Sequence, residues 1–192
     1  MSVISTDEKL PIANGGTGST TGIGLVANYA ATIANCANTT TETTVYSVTI
    51  PANTWLDGEA ITVFLLAHHK QNSGGAITIT QKIKVNASSY TSMSAVSISN
   101  NATEGLTDRG FSMRRMGNDL WLRLSGAFGG SGGTNINNAT FTTNNFASTL
   151  GNIYTSVDFT SDVTITITMQ WASANSLAYF NPTFGTAYKV ST

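Results

Sequence analysis

From Tyr46 to Ile50 apolar and hydroxyl residues alternate one for one, with Tyr46, Val48 and Ile50 on one side and Ser47 and Thr49 on the other. A period of two predicts a strand with one face in a core and one in water. The same period returns down the chain. Ile77, Ile79, Ile83 and Val85 oppose Thr78, Thr80, Lys82 and Lys84, and Val163, Ile165, Ile167, Met169 and Trp171 oppose Thr164, Thr166, Thr168 and Gln170. Between these lies an apolar run from Ala60 to Ala67, suited to a strand covered on both faces. Val96 with Ile98, Phe111 with Met113, and Leu120, Leu122 and Leu124 with Trp121 and Arg123 between them add shorter strands. With Ile153 to Phe159 and Ala187 to Val190 the total is about eight. Pro51-Ala52-Asn53, Asp57-Gly58 and Gly117-Asn118-Asp119 supply turn chemistry between them. From Ala30 to Ala37 the period lapses, and a short helix is predicted there on weak propensity.

Short strands with turn signals and almost no helix point to an all-β fold. The long connections favour an antiparallel β-sandwich of jelly-roll type over an immunoglobulin arrangement. The expected organisation is an extended N-terminal arm over residues 1–42 and a sandwich domain over residues 43–192. Thr, Ser and Asn make up 69 of the 192 residues, while charged residues reach only 10%. An ordinary domain carries about a quarter charged residues. Such a deficit fits a chain that buries much of its surface in an oligomer.

Charge and chemistry exclude more than they assign. Net charge is −1 with the basic residues scattered, so no electrostatic footprint for nucleic acid is present. Arg114-Arg115, with Arg109 nearby, reads as local ion pairing or a solvated strand end. No apolar run has the length of a membrane span or a signal peptide. Cys36 is the only cysteine, which rules out an intrachain disulfide and leaves a small buried residue as the simplest reading. His68 and His69 are adjacent, so on a strand they point to opposite faces and do not share one metal ion; three copies around an axis are the one way they would gather one. No nucleophile-elbow motif accompanies them. Asp57 and Glu59 have the spacing of a carboxylate pair on one strand face, but Asp57-Gly58 is better read as a turn. No catalytic residue, cofactor or metal is expected.

Residues Leu10 to Gly22 read Leu-Pro-Ile-Ala-Asn-Gly-Gly-Thr-Gly-Ser-Thr-Thr-Gly. Gly15, Gly16 and Gly18 permit close backbone approach, Pro11 holds Leu10 extended, and the hydroxyls between them bond locally or across chains. A flexible linker is the plain reading of such a stretch. Thr17 to Gly24 also matches the Thr-Gly-x-x-x-Gly-Ile-Gly pattern of short-chain dehydrogenases. Asp7-Glu8-Lys9-Leu10-Pro11 before it does not make a buried strand, and no βαβ alternation follows, so a dinucleotide site is rejected. The stretch resembles instead the collar element, Leu-Pro-(Ile/Val)-Ala-Asn-Gly-Gly-Thr-Gly, of bacteriophage tail fibres and related virion appendages. That resemblance implies attachment through Leu10, Pro11, Ile12, Asn14, Gly15, Gly16, Thr17 and Gly18. The hairpin from Tyr46 to Val63 is also similar to the opening of phage fibre-head domains, with Trp55 where a smaller residue is common.

The segment from Gly126 to Gly151 is unlike the rest of the chain. Five glycines lead into Asn135, Asn137, Asn138, Asn144 and Asn145, with Phe128, Phe141 and Phe146 among them. Long loops of this kind are usually functional, and rings among amides suit sugar or protein contact. The same phenylalanines serve equally as anchors against a neighbouring subunit. What the resemblance implies is a non-enzymatic homotrimer on the virion surface, assembled in the host cytoplasm. It would contact other virion proteins through the arm and a host glycan or surface protein through the loop. A tail-fibre or tail-tip place is preferred, a capsid decoration protein or head fibre is the alternative, and a small cellular lectin is the third reading.

Overall fold

The inward residues of each strand are those that the period of two sets aside for a core. In the computed structural model the described residues are 24–29, 31–86, 89–92, 96–98, 100–131, 152–154 and 156–191. They form strands β1 (Gly24–Tyr29), β2 (Ala31–Ile33), β3 (Cys36–Ala37), β4 (Thr43–Ile50), β5 (Ala60–Gln71), β6 (Ile77–Val85) and β7 (Ser89–Ser92). The remainder are β8 (Val96–Ile98), β9 (Asn101–Met116), β10 (Asp119–Ser131), β11 (Asn152–Tyr154), β12 (Val163–Trp171) and β13 (Ala178–Ser191). No described residue is helical.

Two antiparallel sheets face each other. Sheet A has the order β1-β13-β5-β9-β10-β11, with β3 also on β13, and sheet B has the order β2-β4-β12-β6-β7, with β8 also on β6. Stripped of additions, the sheets are β1-β13-β5-β9 and β4-β12-β6-β7. With chain order β1, β4, β5, β6, β7, β9, β12, β13, that is the double Greek key of a jelly roll, as the connection lengths predict. The hairpin extension β10–β11 widens sheet A. Strands β1 to β3, which lie before residue 43, hydrogen-bond into both sheets.

Between the sheets sit Tyr46, Trp55, Phe111, Trp171 and Phe180, all fully buried. Trp55 meets Phe159 edge-on at 5.6 Å and 82°, a favourable geometry for two rings. Gly185 leaves room for the Tyr46 ring, since a Cβ there would stand 2.8 Å from two of its carbons. The tight turns at Gly58 and Gly117 hold φ at 83° and 64°, a region glycine enters without steric cost.

Three expectations change. The helix predicted from Ala30 to Ala37 is instead β2 on β4 and β3 on β13. Open sheet edges offer backbone partners there, which outweighs a weak helical preference. Cys36 is buried as read, and its carbonyl accepts from Trp171 Nε1 at 3.1 Å. The strand expected from Ile153 to Phe159 stops at Tyr154. Asp158 takes hydrogen bonds from the Thr160 amide and hydroxyl and from Ser161, a local turn that competes with a ladder. Finally, β5 is fully covered on one face only: Ile61, Val63, Leu65 and Ala67 are buried, whereas Phe64 and Leu66 keep part of their surface.

Candidate functional site

Register decides what the outer face of sheet A presents. Antiparallel partners directly opposite one another point to the same side. Leu66 of β5 is flanked by Phe184 of β13 and Asp108 of β9, and His68 by Asn181 and Leu106. Phe64 and Phe184 lie 6.3 Å apart, ring to ring. Leu106 is 51% exposed and Phe184 50%, so the apolar band runs from β13 across β5 to β9, while Trp121 of β10, 47% exposed, lies apart from it in the row of Arg114 and Ala60.

A polar group caps one end of that band. Glu104 pairs with His68 Nδ1 at 3.2 Å and accepts a short hydrogen bond from the Tyr179 hydroxyl. The Tyr179 bond, above all, holds the Glu104 carboxyl below the usual range against the cost of burial, with His68 and Lys70 adding to it. Burial and then the adjacent carboxylate push Tyr179 up to about 12. The phenol therefore stays protonated and the carboxylate ionised across the neutral range. The group ties β5, β9 and β13 together.

His69 points the other way, as its strand position requires. It is 5% exposed, and its Nδ1 lies 2.7 Å from Thr107 Oγ1. The two histidines thus occupy opposite faces. Among the described residues no group of three or more His, Cys, Asp and Glu stands together as a metal site.

The pair Asp57 and Glu59 is taken up by structure. Asp57 Oδ1 accepts from the Gly117 amide at 2.7 Å. Glu59 is buried against Lys189, Nζ to Oε2 at 3.1 Å, and also accepts from the Leu56 amide at 2.7 Å. Trp55 Nε1 donates to the Glu59 carbonyl and Lys189 to the Thr54 carbonyl. Arg114 stands exposed at the end of β9, the solvated strand end expected, but neither it nor Arg115 is confined to solvent, since both also clamp backbone carbonyls at this corner. Arg114 donates to Gly58 O at 3.1 Å, and Arg115 donates to Gly117 O at 2.8 Å and to Trp55 O. The Arg115 guanidinium also stands 4.0 Å over the Phe159 ring, a cation–π contact. Turn carbonyls that need donors explain the difference.

No family model matches the chain, and no curated protein matches it. Among solved structures it is similar to the CBM2 module of the evolved Dit of Lactobacillus casei BL23 phage J-1, at 11% identity and a TM-score of 0.34, over 92% of this chain and 78% of that one. So low a score places no constraint on function.

The collar residues Leu10, Pro11, Ile12, Asn14, Gly15, Gly16, Thr17 and Gly18 lie outside the described residues, as do Asn135, Asn137, Asn138, Phe141, Asn144, Asn145 and Phe146. Phe128 belongs to β10, opposite Thr107. The residues Gly126 to Ser131, expected in a loop, are therefore strand, because β9 runs unbroken from Asn101 and gives them a partner through a register shift after Phe128, and the rest of the expected loop lies outside the described residues. Ser131 ends in the row Ser131, Gly105, His69, Phe180, Cys36. At the opposite end of the sheet Gly24 faces Ser191. The apolar band and the Glu104 group carry no local motif, and only the outward half of the run Ala60 to Ala67 hinted at them.

Proposed function

We propose that the protein is a non-enzymatic structural component of a bacteriophage particle, a homotrimeric tail-fibre or tail-tip protein held by its N-terminal arm and presenting a jelly roll to the host surface. The observation that carries this reading is the junction of two features. The collar-like sequence ends at Gly22, and Gly24 opens β1, the edge strand of the jelly roll. An attachment segment thus passes directly into the sheet it would anchor. Ser131 stands at the far end of sheet A, about 34 Å from the Gly24 end by strand rise. The chain beyond Ser131, which carries Phe141, Phe146 and the asparagines in its sequence, is the part assigned to host glycan or protein contact. The non-enzymatic reading draws support from the corner at Glu59, where both candidate acids are bound to backbone or to Lys189.

The test is a variant that begins at Gly24. It is expected to fold like the full chain yet to be missing from purified particles, and normal incorporation would overturn the attachment role. Counting copies in particles that carry the full chain separates the places on the virion. A few dozen or fewer fit a tail appendage, whereas a count in the hundreds would replace it with a capsid decoration protein.

A further inference from the structure

We infer that a second copy of this chain covers the outer face of sheet A. The inference rests on the oligomeric part of the reading above and names the surface that makes the oligomer. Phe64, Leu66, Leu106 and Phe184 form an apolar band on that face, with Leu106 and Phe184 close to half exposed, and Trp121 stands apart on the same face in the row of Arg114 and Ala60. Apolar patches rimmed by polar residues mark contact surfaces.

Size and charge select the occupant. Strands β13, β5, β9 and β10 span about 19 Å at the usual spacing and the 12 residues of β5 about 40 Å, so the face measures about 760 Å². A standard protein interface takes about 800 Å² from each partner. The face also carries both signs, with Glu104 and Asp108 beside His68, Lys70 and Arg114. Copies of one chain therefore meet without a like-charge barrier, whereas a nucleic acid or an anionic lipid surface would need a single sign. The opposite outer face, on sheet B, shows no apolar band among the described residues. Ser47, Thr49, Thr78, Thr80, Thr164 and Thr166 line it. Among the described residues, the apolar surface that asks for cover falls on sheet A.

Light scattering of the full-length chain at micromolar concentration, combined with Leu106→Glu and Phe184→Glu together, tests the proposal. The unaltered chain is expected to run as an oligomer. The double variant, folded by circular dichroism, is expected to dissociate at least about tenfold more readily. Thr166→Glu, on sheet B, should leave the assembly unchanged. A monomeric unaltered chain would overturn both this surface and the oligomeric reading. An oligomer that survives the double variant, or that Thr166→Glu breaks as readily, would overturn this surface alone and leave attachment to the particle standing. If the double variant does not fold, Leu106→Glu by itself decides in the same way, since its side chain is half in water already.

Discussion

Sheet B obeys the rule of apolar inside and polar outside along most of its length, while sheet A breaks it in both directions. On sheet B, Ile79, Ile83, Val85, Val163, Ile165 and Ile167 face the core, and hydroxyls and lysines face water. Its buried side chains with an unpaired oxygen, among the described residues, are Tyr46 and Gln81. On sheet A, or at its end, Glu59, Lys189, His69 and Gln71 are buried, while Leu106, Phe184 and Trp121 stand in the open. Sheet B is thus finished within one chain, and its polar face needs only solvent. Sheet A holds its ends with buried polar contacts and leaves an apolar face uncovered. Departures from the burial pattern are where a chain gives up local stability for something else, and here they fall on one side of the sandwich.

The two ion-pair groups make that difference measurable. Removing one partner of a buried pair strands the other charge, which costs about 3–5 kcal/mol. Lys189→Ala should therefore lower unfolding free energy by about that much, because the Glu59 carboxylate would keep only the Leu56 amide. Chemical denaturation measures it, and the pair Glu59→Gln with Lys189→Met should recover most of the loss. A small effect would mean that sheet A does not depend on its buried charges.

Next in size is the contact between the sheets. Gly185→Ala should cost about 1–3 kcal/mol by overpacking, since the new methyl group would press on the Tyr46 ring and approach Ile33 Cγ2 at 3.2 Å. Thermal melts of the variant alone and with Tyr46→Leu check the cause. Relief in the double variant assigns the strain to that ring, and no relief would place it elsewhere.

The smallest effect belongs to sheet B. Glu42 spans its outer face, bound to Lys82 Nζ at 2.6 Å, to Lys84, and to Thr168 Oγ1 at 2.9 Å. Burial by itself raises this carboxyl, and the three donors overcome it and bring it down to about 2. A depressed carboxylate contributes stability that is full above its unfolded value and lost as pH falls through the folded one. Glu42→Gln should therefore cost about 1 kcal/mol or less at neutral pH, given its solvent exposure. Its gap from the unaltered chain should close between pH 4.5 and about 2. A gap that persisted at the acid end would assign the loss to the hydrogen bonds instead of the charge.

How much of this was legible follows from what each residue depends on. The strands β4, β6 and β12 were legible because burial on one face and water on the other imposes the period directly. Strands β2 and β3 were not: of their residues only Cys36 is buried, and their form comes from partners elsewhere in the chain. The polar end of β9, Asn101 to Glu104, also lacks the pattern and is a strand only because β5 lies beside it. At the candidate surface, the opposite orientation of His68 and His69 followed from strand geometry alone. Tyr179 and Glu104 lie 75 residues apart, and no local spacing brings them together. The asparagine-rich segment and the collar stood out by composition, and the collar also by its likeness to a known element.

The edge strand β1 has a mechanical consequence. Gly24 pairs with Ser191 at the end of sheet A where the arm begins, and β1 runs from there along β13. Tension applied through the arm, directed away from the sandwich, would draw β1 along its own axis. Ladder hydrogen bonds lie across the strands, so the rungs from Gly24 to Tyr29 would be loaded together in shear. They would not be peeled apart one at a time. A tether attached here resists pulling better than one leaving the same edge sideways, and the same geometry puts any tag added after Ser191 beside the tether, at the end away from Ser131.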